Sequence, residues 1–209
     1  MRISELSEQT GVTTASIKYY VREGLLPAPE RVGYNQSEYG TAHVARLRLI
    51  RSLLDVGGLS VSATREVLAA VDDEALPIAR LMGTAQRSIP VPEGTPSRTA
   101  VDAIGRVGDS LGWHVHPSNP GILIAARVLE HYEALDLHEL SALLEPFAAA
   151  ADAVARAEVA IAVAVAAGDR DRMAAIVAVG TVLGDSLLAG LRRIAQESAA
   201  REARPDSTA

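Results

Sequence analysis

Residues 13–24 concentrate side chains that could contact a ligand bearing phosphates. The stretch reads TTASIKYYVREG and holds hydroxyl groups at its start, the only lysine of the chain, Lys18, and an arginine four residues later, Arg22. Proteins place hydroxyl and cationic donors of this kind against nucleic-acid backbones. Residues four apart lie side by side on a helix, so Lys18 and Arg22 would share one face. The pattern predicts a polyanion-binding helix; the plain alternative is an ordinary solvated face.

Other chemistries have little support in the sequence. The absence of cysteine removes disulfides, thiolate metal sites and thiol redox sensing. His114 and His116, with Asp109 nearby, form only a weak metal-site pattern, because no further ligand follows at the usual spacing. No catalytic triad with a fitting context and no glycine-rich phosphate loop after a strand is present. We therefore expect no enzyme and no cofactor or metal.

The charge of the chain is unevenly distributed. The net charge is −6, but residues 1–70 carry eight basic and seven acidic side chains, whereas the remainder carries twelve basic and nineteen acidic ones. A polyanion would therefore be bound by the N-terminal third. We find no signal segment and no run of about 18 apolar residues, so we expect a cytoplasmic protein that does not bind a membrane.

The first 72 residues are predicted to form four helices and a small ribbon. Ser4, Thr13 and Ser60 are candidate N-caps, and Gly24 is the expected left-handed stop of the second helix. Two short helices separated by a glycine-containing turn are a helix-turn-helix candidate. Prolines and glycines between residues 25 and 40 predict a loop or ribbon. The third helix is predicted to turn one apolar stripe inward: Val44, Leu47, Ile50 and Leu54.

The rest of the chain is predicted to be helical. The periodicity and the proline-rich interruptions place helices near 74–88, 97–112, 119–135, 138–167 and 170–203. The segment from Ala148 to Ala167 is apolar nearly all round, which is typical of a helix buried between other helices. The last residues, 204–209, are polar and are expected to be disordered.

The N-terminal sequence resembles the opening of the MerR family of bacterial transcription regulators. The resemblance is carried by ISELSEQTGVTTASIKYYVREGLLP, by Tyr39, by the RLRLIR run at residues 46–51 and by the Gly-Leu-Ser that opens the fourth helix. It covers residues 1–71. The fold it implies for residues 1–72 is a winged helix-turn-helix DNA-binding domain. Together with the helices predicted above, we expect a mainly helical (all-α) protein in which residues 73–203 form a helical bundle, the candidate domain for dimerisation and for an effector.

The resemblance also implies which residues contact DNA. Thr13, Thr14, Ser16 and Lys18 would reach phosphates or base edges, and Tyr19 or Tyr20 would contact the backbone together with Arg22. The wing would contribute Arg31, Tyr34, Asn35 and Gln36. The third helix would contribute Arg46, Arg48 or both. Of adjacent tyrosines on a helix, one is expected in the core and one at the surface.

Two features depart from the family pattern. The ribbon sequence GYNQSEY lacks the usual arginine, and the helix after residue 72 is shorter than the long helix through which family members pair. The long helices at 138–167 and 170–203 are therefore alternative dimer elements. The passage VGTVLGDSLLAGLRRIAQE has a faint resemblance to the helical ligand-binding halves of TetR-like regulators.

These observations predict a sequence-specific regulator that acts as a homodimer on an inverted repeat of double-stranded DNA. By resemblance, it would distort promoter DNA and so act indirectly on RNA polymerase. A small organic effector is expected between the later helices, where the large side chains are tentative ligand contacts: Met82, Trp113, Tyr132, Phe147 and Met173. Two alternatives remain open: an effector-free repressor or architectural DNA-binding protein, and a small-molecule-binding protein that has lost DNA specificity.

Overall fold

The computed structural model describes residues 1–33, 36–166 and 168–203. It is predominantly helical, with one two-stranded ribbon, and the predicted fold class is confirmed. Tyr34 and Asn35 of the predicted wing and the expected tail at 204–209 lie outside the described residues. The helices and strands of the first 73 residues are α1 (Ile3–Thr10), α2 (Thr14–Arg22), β1 (Glu30–Gly33), β2 (Gln36–Glu38), α3 (Thr41–Arg51) and α4 (Val61–Asp72).

The turn between α1 and α2 and the end of α2 follow local sequence signals. Thr13 caps α2, since its hydroxyl oxygen accepts the Ser16 N–H at 3.1 Å. Gly24 follows α2 with a φ of +72°, a conformation that glycine adopts without steric cost. The N-cap of α1 is Arg2 rather than the predicted Ser4. The helix begins two residues earlier, where the Glu5 carboxylate accepts the Arg2 N–H at 2.6 Å.

The ribbon is a short antiparallel pair in which Glu30 lies opposite Glu38 and Arg31 opposite Ser37. Its second strand leads into Tyr39, which is buried. The backbone N–H of Tyr39 donates to the Met1 carbonyl, and the Met1 amino group donates to the Tyr39 carbonyl, both at 2.9 Å. The beginning of the chain therefore holds the base of the ribbon in place.

The third helix does not end as its periodicity suggests. It continues into a π-helical turn, Ser52–Val56, before α4 begins with Ser60 as its N-cap. Leu53 is fully buried and Leu54 only half-buried, whereas a regular α-helical period would turn Leu54 inward. The predicted stripe is thus confirmed for Val44, Leu47 and Ile50 and wrong for Leu54.

The chain divides into two compact units, one formed by residues 1–73 with the segment from residue 178, and the other by residues 74–177. This division differs from the predicted 1–72 and 73–203, because the last helix belongs from residue 178 onwards with the N-terminal residues. We call residues 1–73 the N-terminal domain and residues 74–177 the helical domain. The N-terminal domain has a core of large aliphatic side chains: Leu6, Ile17, Leu25, Leu26, Leu47, Ile50, Leu53, Val67 and Leu68.

The later helices lie close to their predicted positions. They are α5 (Ile78–Ser88), α6 (Arg98–Ser110), α7 (Pro120–Ala134), a 3₁₀ helix (His138–Leu143), α8 (Leu144–Ala166) and α9 (Arg170–Ala203). In the helical domain α6 packs against α7 and α8, and the 3₁₀ helix packs against α7 and α8. Its buried side chains are mostly small: Leu81, Ala85, Ala100, Ala126, Ala148, Ala162, Ala174 and Val177.

The expectation that the alanine-rich α8 is buried is wrong for the single chain. Val159, Ile161, Val163 and Val165 are all exposed, although they lie on an apolar helix. Residues two apart on a helix point in nearly opposite directions, so α8 leaves apolar side chains uncovered on more than one side.

The last helix is also more apolar than expected. An 18-residue window of α9 has a mean hydropathy of 1.8 and is 22% buried, so by length and composition this helix could cross a membrane. The sequence-based expectation of no such stretch is corrected on that measure. A core helix of a soluble protein satisfies the same criterion.

Candidate nucleic-acid interface

The second helix of the helix-turn-helix exposes a polar stripe. Thr14, Lys18 and Arg22 are spaced four residues apart and are all exposed, whereas Ile17 is fully buried. Four-residue spacing advances each position by about 40° around a helix, so the three side chains line one face. This face offers a hydroxyl and two cations to a ligand, which are the donors that DNA phosphates and guanine edges accept.

Two more hydroxyl groups lie at the start of α2, outside this face. Thr13 is exposed and Ser16 half-buried, and their hydroxyl oxygens lie 2.9 Å apart. Thr13 also caps the helix, so its hydroxyl oxygen is already an acceptor for the backbone. A hydroxyl group that accepts one hydrogen bond can still donate its own hydrogen. Both predicted residues therefore stand where a docked helix N-terminus would meet a phosphate.

The two tyrosines do not divide into one core and one surface residue as expected. Tyr19 and Tyr20 are both half-buried, with ring centroids 5.9 Å apart and a tilt of 58°. The Arg22 guanidinium lies 5.1 Å from the centroid of the Tyr19 ring, a cation–π distance that orients the arginine along the helix. Burial, reinforced by nearby Asp55, raises the pKa of Tyr20, so its phenol stays protonated and can donate a hydrogen bond.

Two arginines from neighbouring helices hold the end of α2. The Arg46 side chain donates through Nε to the Leu25 carbonyl at 2.9 Å and binds both Asp72 oxygens at 2.7 and 2.6 Å. The Arg65 side chain donates to the Glu23 carbonyl at 2.7 Å and to its carboxylate at 2.9 Å. The last carbonyls of a helix lack intrahelical partners.

These arginines therefore fix α2 against α3 and α4. Only 13% of the Arg46 side chain is exposed, and its guanidinium is engaged with the protein rather than presented to a ligand. Sequence reasoning named Arg46 as a DNA contact and missed Arg65, Glu23 and Asp72 as positioning residues. Asp72 is the last residue of α4 and binds Arg46. No local pattern could reveal partners 26 and 42 residues apart.

The other predicted contacts are distributed over α3 and the ribbon. Arg48 on α3 and Arg31 on β1 are both exposed. Arg51 forms an ion pair with Asp55 at 2.8 Å, one helical turn later. Only the backbone of Gln36 is described. The exposed cations among the predicted contacts, Lys18, Arg22, Arg31 and Arg48, thus come from α2, β1 and α3.

The helical domain contains an open cleft of about 720 Å³. Its wall includes an ion pair between Arg127 Nη1 and Glu130 Oε2 at 2.7 Å, and the other Glu130 oxygen accepts the Ser97 N–H at 2.5 Å. These two donors hold the pKa of Glu130 below its usual range. The buried Arg127 Nε has no hydrogen-bond partner among the described residues. The lining is mainly apolar and comes from α6, α7, the 3₁₀ helix and Leu144.

None of the five predicted ligand contacts lines this cleft. Met82, Tyr132 and Met173 are half-buried elsewhere in the domain, and Phe147 is 48% exposed. The Trp113 indole N–H donates to Asp152 at 2.8 Å; the same carboxylate accepts from Arg156 at 2.7 Å. Trp113 therefore ties the loop after α6 to α8.

The histidine pair at 114 and 116 has no metal-site geometry in the described residues, which contain no group of three or more potential ligands. His116 Nδ1 instead lies 2.8 Å from the Ser118 hydroxyl group.

Comparison with known proteins agrees with this geometry. Residues 1–71 match the family described as "MerR HTH family regulatory protein". The mercuric resistance operon regulatory protein of Bacillus cereus is 37% identical over 75 residues, which cover 35% of this chain and 56% of that protein. The regulator HmrR of Rhizobium leguminosarum bv. viciae is 35% identical over 74 residues, with the same two coverages. The chain thus spans about half the length of these curated relatives.

One solved structure extends the similarity to the whole chain. The crystal structure of SCO5550 from Streptomyces coelicolor A3(2), described as a transcriptional regulator, superposes with a TM-score of 0.71 at 31% identity and covers 100% of both chains. The match over the helix-turn-helix and this full-length similarity lead to one conclusion: the chain belongs to the MerR family of DNA-binding transcription regulators.

Proposed function

We propose that the protein is a cytoplasmic, sequence-specific regulator that binds an inverted-repeat operator as a homodimer and acts on RNA polymerase indirectly, through promoter DNA. The observation that carries the proposal is the exposed stripe of Thr14, Lys18 and Arg22 on α2, a helix that buries Ile17 on another face. One helix of this kind reads one half-site, and a two-fold dimer reads two half-sites related by inversion.

In vitro selection of duplexes from a random library tests this function directly. The full-length protein at moderate salt is expected to recover a palindromic motif, whose affinity falls with salt by a log–log slope near −0.9 for each phosphate contact. Recovery of no sequence above background would contradict sequence-specific binding. It would favour the alternative of a ligand-binding protein that has lost DNA specificity.

Substitutions in α2 test which residues bind. Lys18→Ala and Arg22→Ala are each expected to weaken binding of the selected duplex by about 1–3 kcal/mol, because each removes a charge-assisted contact. Arg98→Ala is the matched control: it removes the same charge from a side chain of the helical domain that is 94% exposed. Unchanged affinity in both α2 variants would remove this helix from the interface.

We further propose that the cleft of the helical domain binds an organic effector with a mainly apolar body. Its volume of about 720 Å³ lies within the usual range for small-molecule sites, and Arg127 and Glu130 supply polar groups at its wall. A compound library can be screened through the fluorescence of Trp113, the only tryptophan, and through thermal unfolding.

A variant that fills the cleft makes this screen specific. Ala103→Trp is expected to abolish any shift caused by a hit, since Ala103 lines the cleft. The new indole adds its own fluorescence, so this comparison relies on the unfolding temperature. If no compound shifts the wild-type protein, the effector-free alternative is favoured.

A further inference from the structure

The second half of α9 carries an uncovered apolar stripe. Leu187, Leu191 and Ile194 are 65%, 55% and 68% exposed, and the adjacent Leu188 is 39% exposed. Their spacing of four and then three residues is the repeat by which one helix presents a continuous seam to another. Isolated large apolar side chains at a surface are ordinary, but four within two helical turns mark a contact surface.

The opposite side of this helix is fixed to the N-terminal domain. Val182 is buried, and nine residues on a helix correspond to a rotation of about 180°, so Val182 faces away from Leu191. A Cβ atom at Gly57 would clash with the Val182 side chain, so glycine permits this close approach. The Ser186 hydroxyl group also donates to the Val56 carbonyl at 3.3 Å. One face of α9 is therefore held by its own chain at Val182 and Ser186, whereas residues 191–203 are exposed on all sides.

The charges around the stripe permit pairing with an identical helix. Residues 187–203 contain three arginines and two glutamates, so the segment is nearly neutral and carries both signs. Like-charged helices repel, whereas a segment with both signs can place acid against base in a second copy. Leu187, Leu191 and Ile194 themselves bring no charge into the seam.

A two-fold dimer uses the same patch on both partners, so the patch must be complementary to itself. The stripe meets this condition: it is apolar and helical, and it belongs to the compact unit that contains the helix-turn-helix. A dimer built on it would fix each DNA-binding helix relative to its own pairing surface. We propose that the stripe of Leu187, Leu191 and Ile194 pairs with the same stripe of a second copy. This inference rests on the homodimer of the proposed function and assigns its interface.

Charge substitutions test the surface in the full-length protein. Light scattering at micromolar concentration is expected to give twice the chain mass of 21.9 kDa for the wild type and the single-chain mass for Leu191→Glu. Arg193→Glu is the matched control, because it places a glutamate on the far side of α9, and it should remain dimeric. Val163→Glu makes the same test on the exposed apolar side chains of α8. A monomer from Val163→Glu with a dimer from Leu191→Glu would overturn the proposal.

Cross-linking provides a second test that needs no disruptive substitution. The chain has no cysteine, so single cysteines can be introduced without background. Among Leu187→Cys, Leu191→Cys and Ile194→Cys, at least one is expected to form an intermolecular disulfide on mild oxidation, whereas Arg193→Cys is not. Equal cross-linking of Arg193→Cys would overturn the assignment, as would a monomeric wild type that sediments with phosphatidylglycerol vesicles through α9.

The dimer interface and the DNA-binding function fail separately. If Leu191→Glu abolishes the dimer but the wild-type protein selects no DNA motif, the proposed interface stands and the proposed operator binding is wrong. If the wild-type protein selects a palindromic motif but the Leu191→Glu variant is still a dimer, the proposed function stands and the proposed interface is wrong.

Discussion

The N-terminal domain and the helical domain use their apolar residues in different ways. Among the described residues, the largest fully buried side chains lie in residues 1–73, with Leu81 as the exception. The helical domain buries mainly alanines and leaves valines and isoleucine of α8 exposed. Burying a leucine or isoleucine contributes about 1.5–3 kcal/mol, whereas an alanine contributes much less. A sequence can therefore be apolar overall and still build one dense core and one thin one.

This difference shows which interactions stabilise each domain. The N-terminal domain combines large buried side chains with arginine clamps that reach across 26 and 42 residues. The helical domain depends on helix pairing and on polar ties such as Trp113 to Asp152. A domain held in this second way leaves apolar side chains such as Val163 exposed and available to a partner.

The largest expected effect lies in the core of the N-terminal domain. Leu47→Ala empties a fully buried position and should lower the free energy of unfolding by about 2–5 kcal/mol. Val163→Ala, at a side chain that is 62% exposed, should change it by less than about 0.5 kcal/mol. Urea unfolding followed by circular dichroism measures both. Equal decreases in the free energy of unfolding for the two variants would show that α8 is buried in the assembled protein. The contrast between a dense and a thin core would then hold only for a single chain.

The next effect separates two arginines of α3 that sequence reasoning treated alike. Arg46→Ala removes the bidentate contact with Asp72 and the bond to the Leu25 carbonyl, and should cost about 1–3 kcal/mol of stability. Arg48→Ala should leave stability unchanged and weaken DNA binding, because Arg48 is exposed. Thermal unfolding measures the stability of both variants, and titration with the duplex measures their affinity for DNA. A stable Arg46→Ala variant would mean that the clamp does not hold α2.

The features predicted correctly from the sequence depend on neighbouring residues. Thr13 and Ser60 cap helices, and Gly24 adopts the left-handed conformation, because the cap geometry involves only the next three residues. The polar stripe of α2 follows from helical spacing alone. These parts of the candidate interface were therefore available from the sequence.

The features that were missed depend on distant residues or on departures from a regular helix. Arg46 and Asp72 become partners only after α3 and α4 have packed. The π-helical turn after Arg51 and the burial of Leu53 rather than Leu54 depart from the constant period that the sequence pattern assumes. The apolar pattern of α8 predicted burial, whereas the single chain leaves several of its valine and isoleucine side chains exposed.

A smaller effect is expected at the polar tie of the helical domain. Trp113→Phe keeps the ring but removes the indole N–H that donates to Asp152, so the domain should unfold at a slightly lower temperature. The shift should be smaller than that of Arg46→Ala, because Asp152 keeps its bond to Arg156. Differential scanning calorimetry distinguishes the two. A larger shift in Trp113→Phe would show that the thin core relies on this single bond.

The smallest effect is a pH dependence confined to the helical domain. Bonds from the Ser97 N–H and from Arg127 lower the pKa of Glu130 in the folded protein below its ordinary value of 4.5. A lowered folded pKa means that the unfolded chain binds the proton more readily, so the stabilisation is complete above pH 4.5 and is lost as the pH falls through the folded pKa. Glu130→Gln should reduce the fall of the unfolding temperature with decreasing pH in this acid range (the acid limb), and should leave its pH dependence near neutral pH unchanged. Glu133→Gln, on the same helix with its side chain 63% exposed, is the matched control and should keep the limb. An unaltered limb in Glu130→Gln would place the acid sensitivity elsewhere, and would show that the wall of the cleft is not a site where charge supports the thin core.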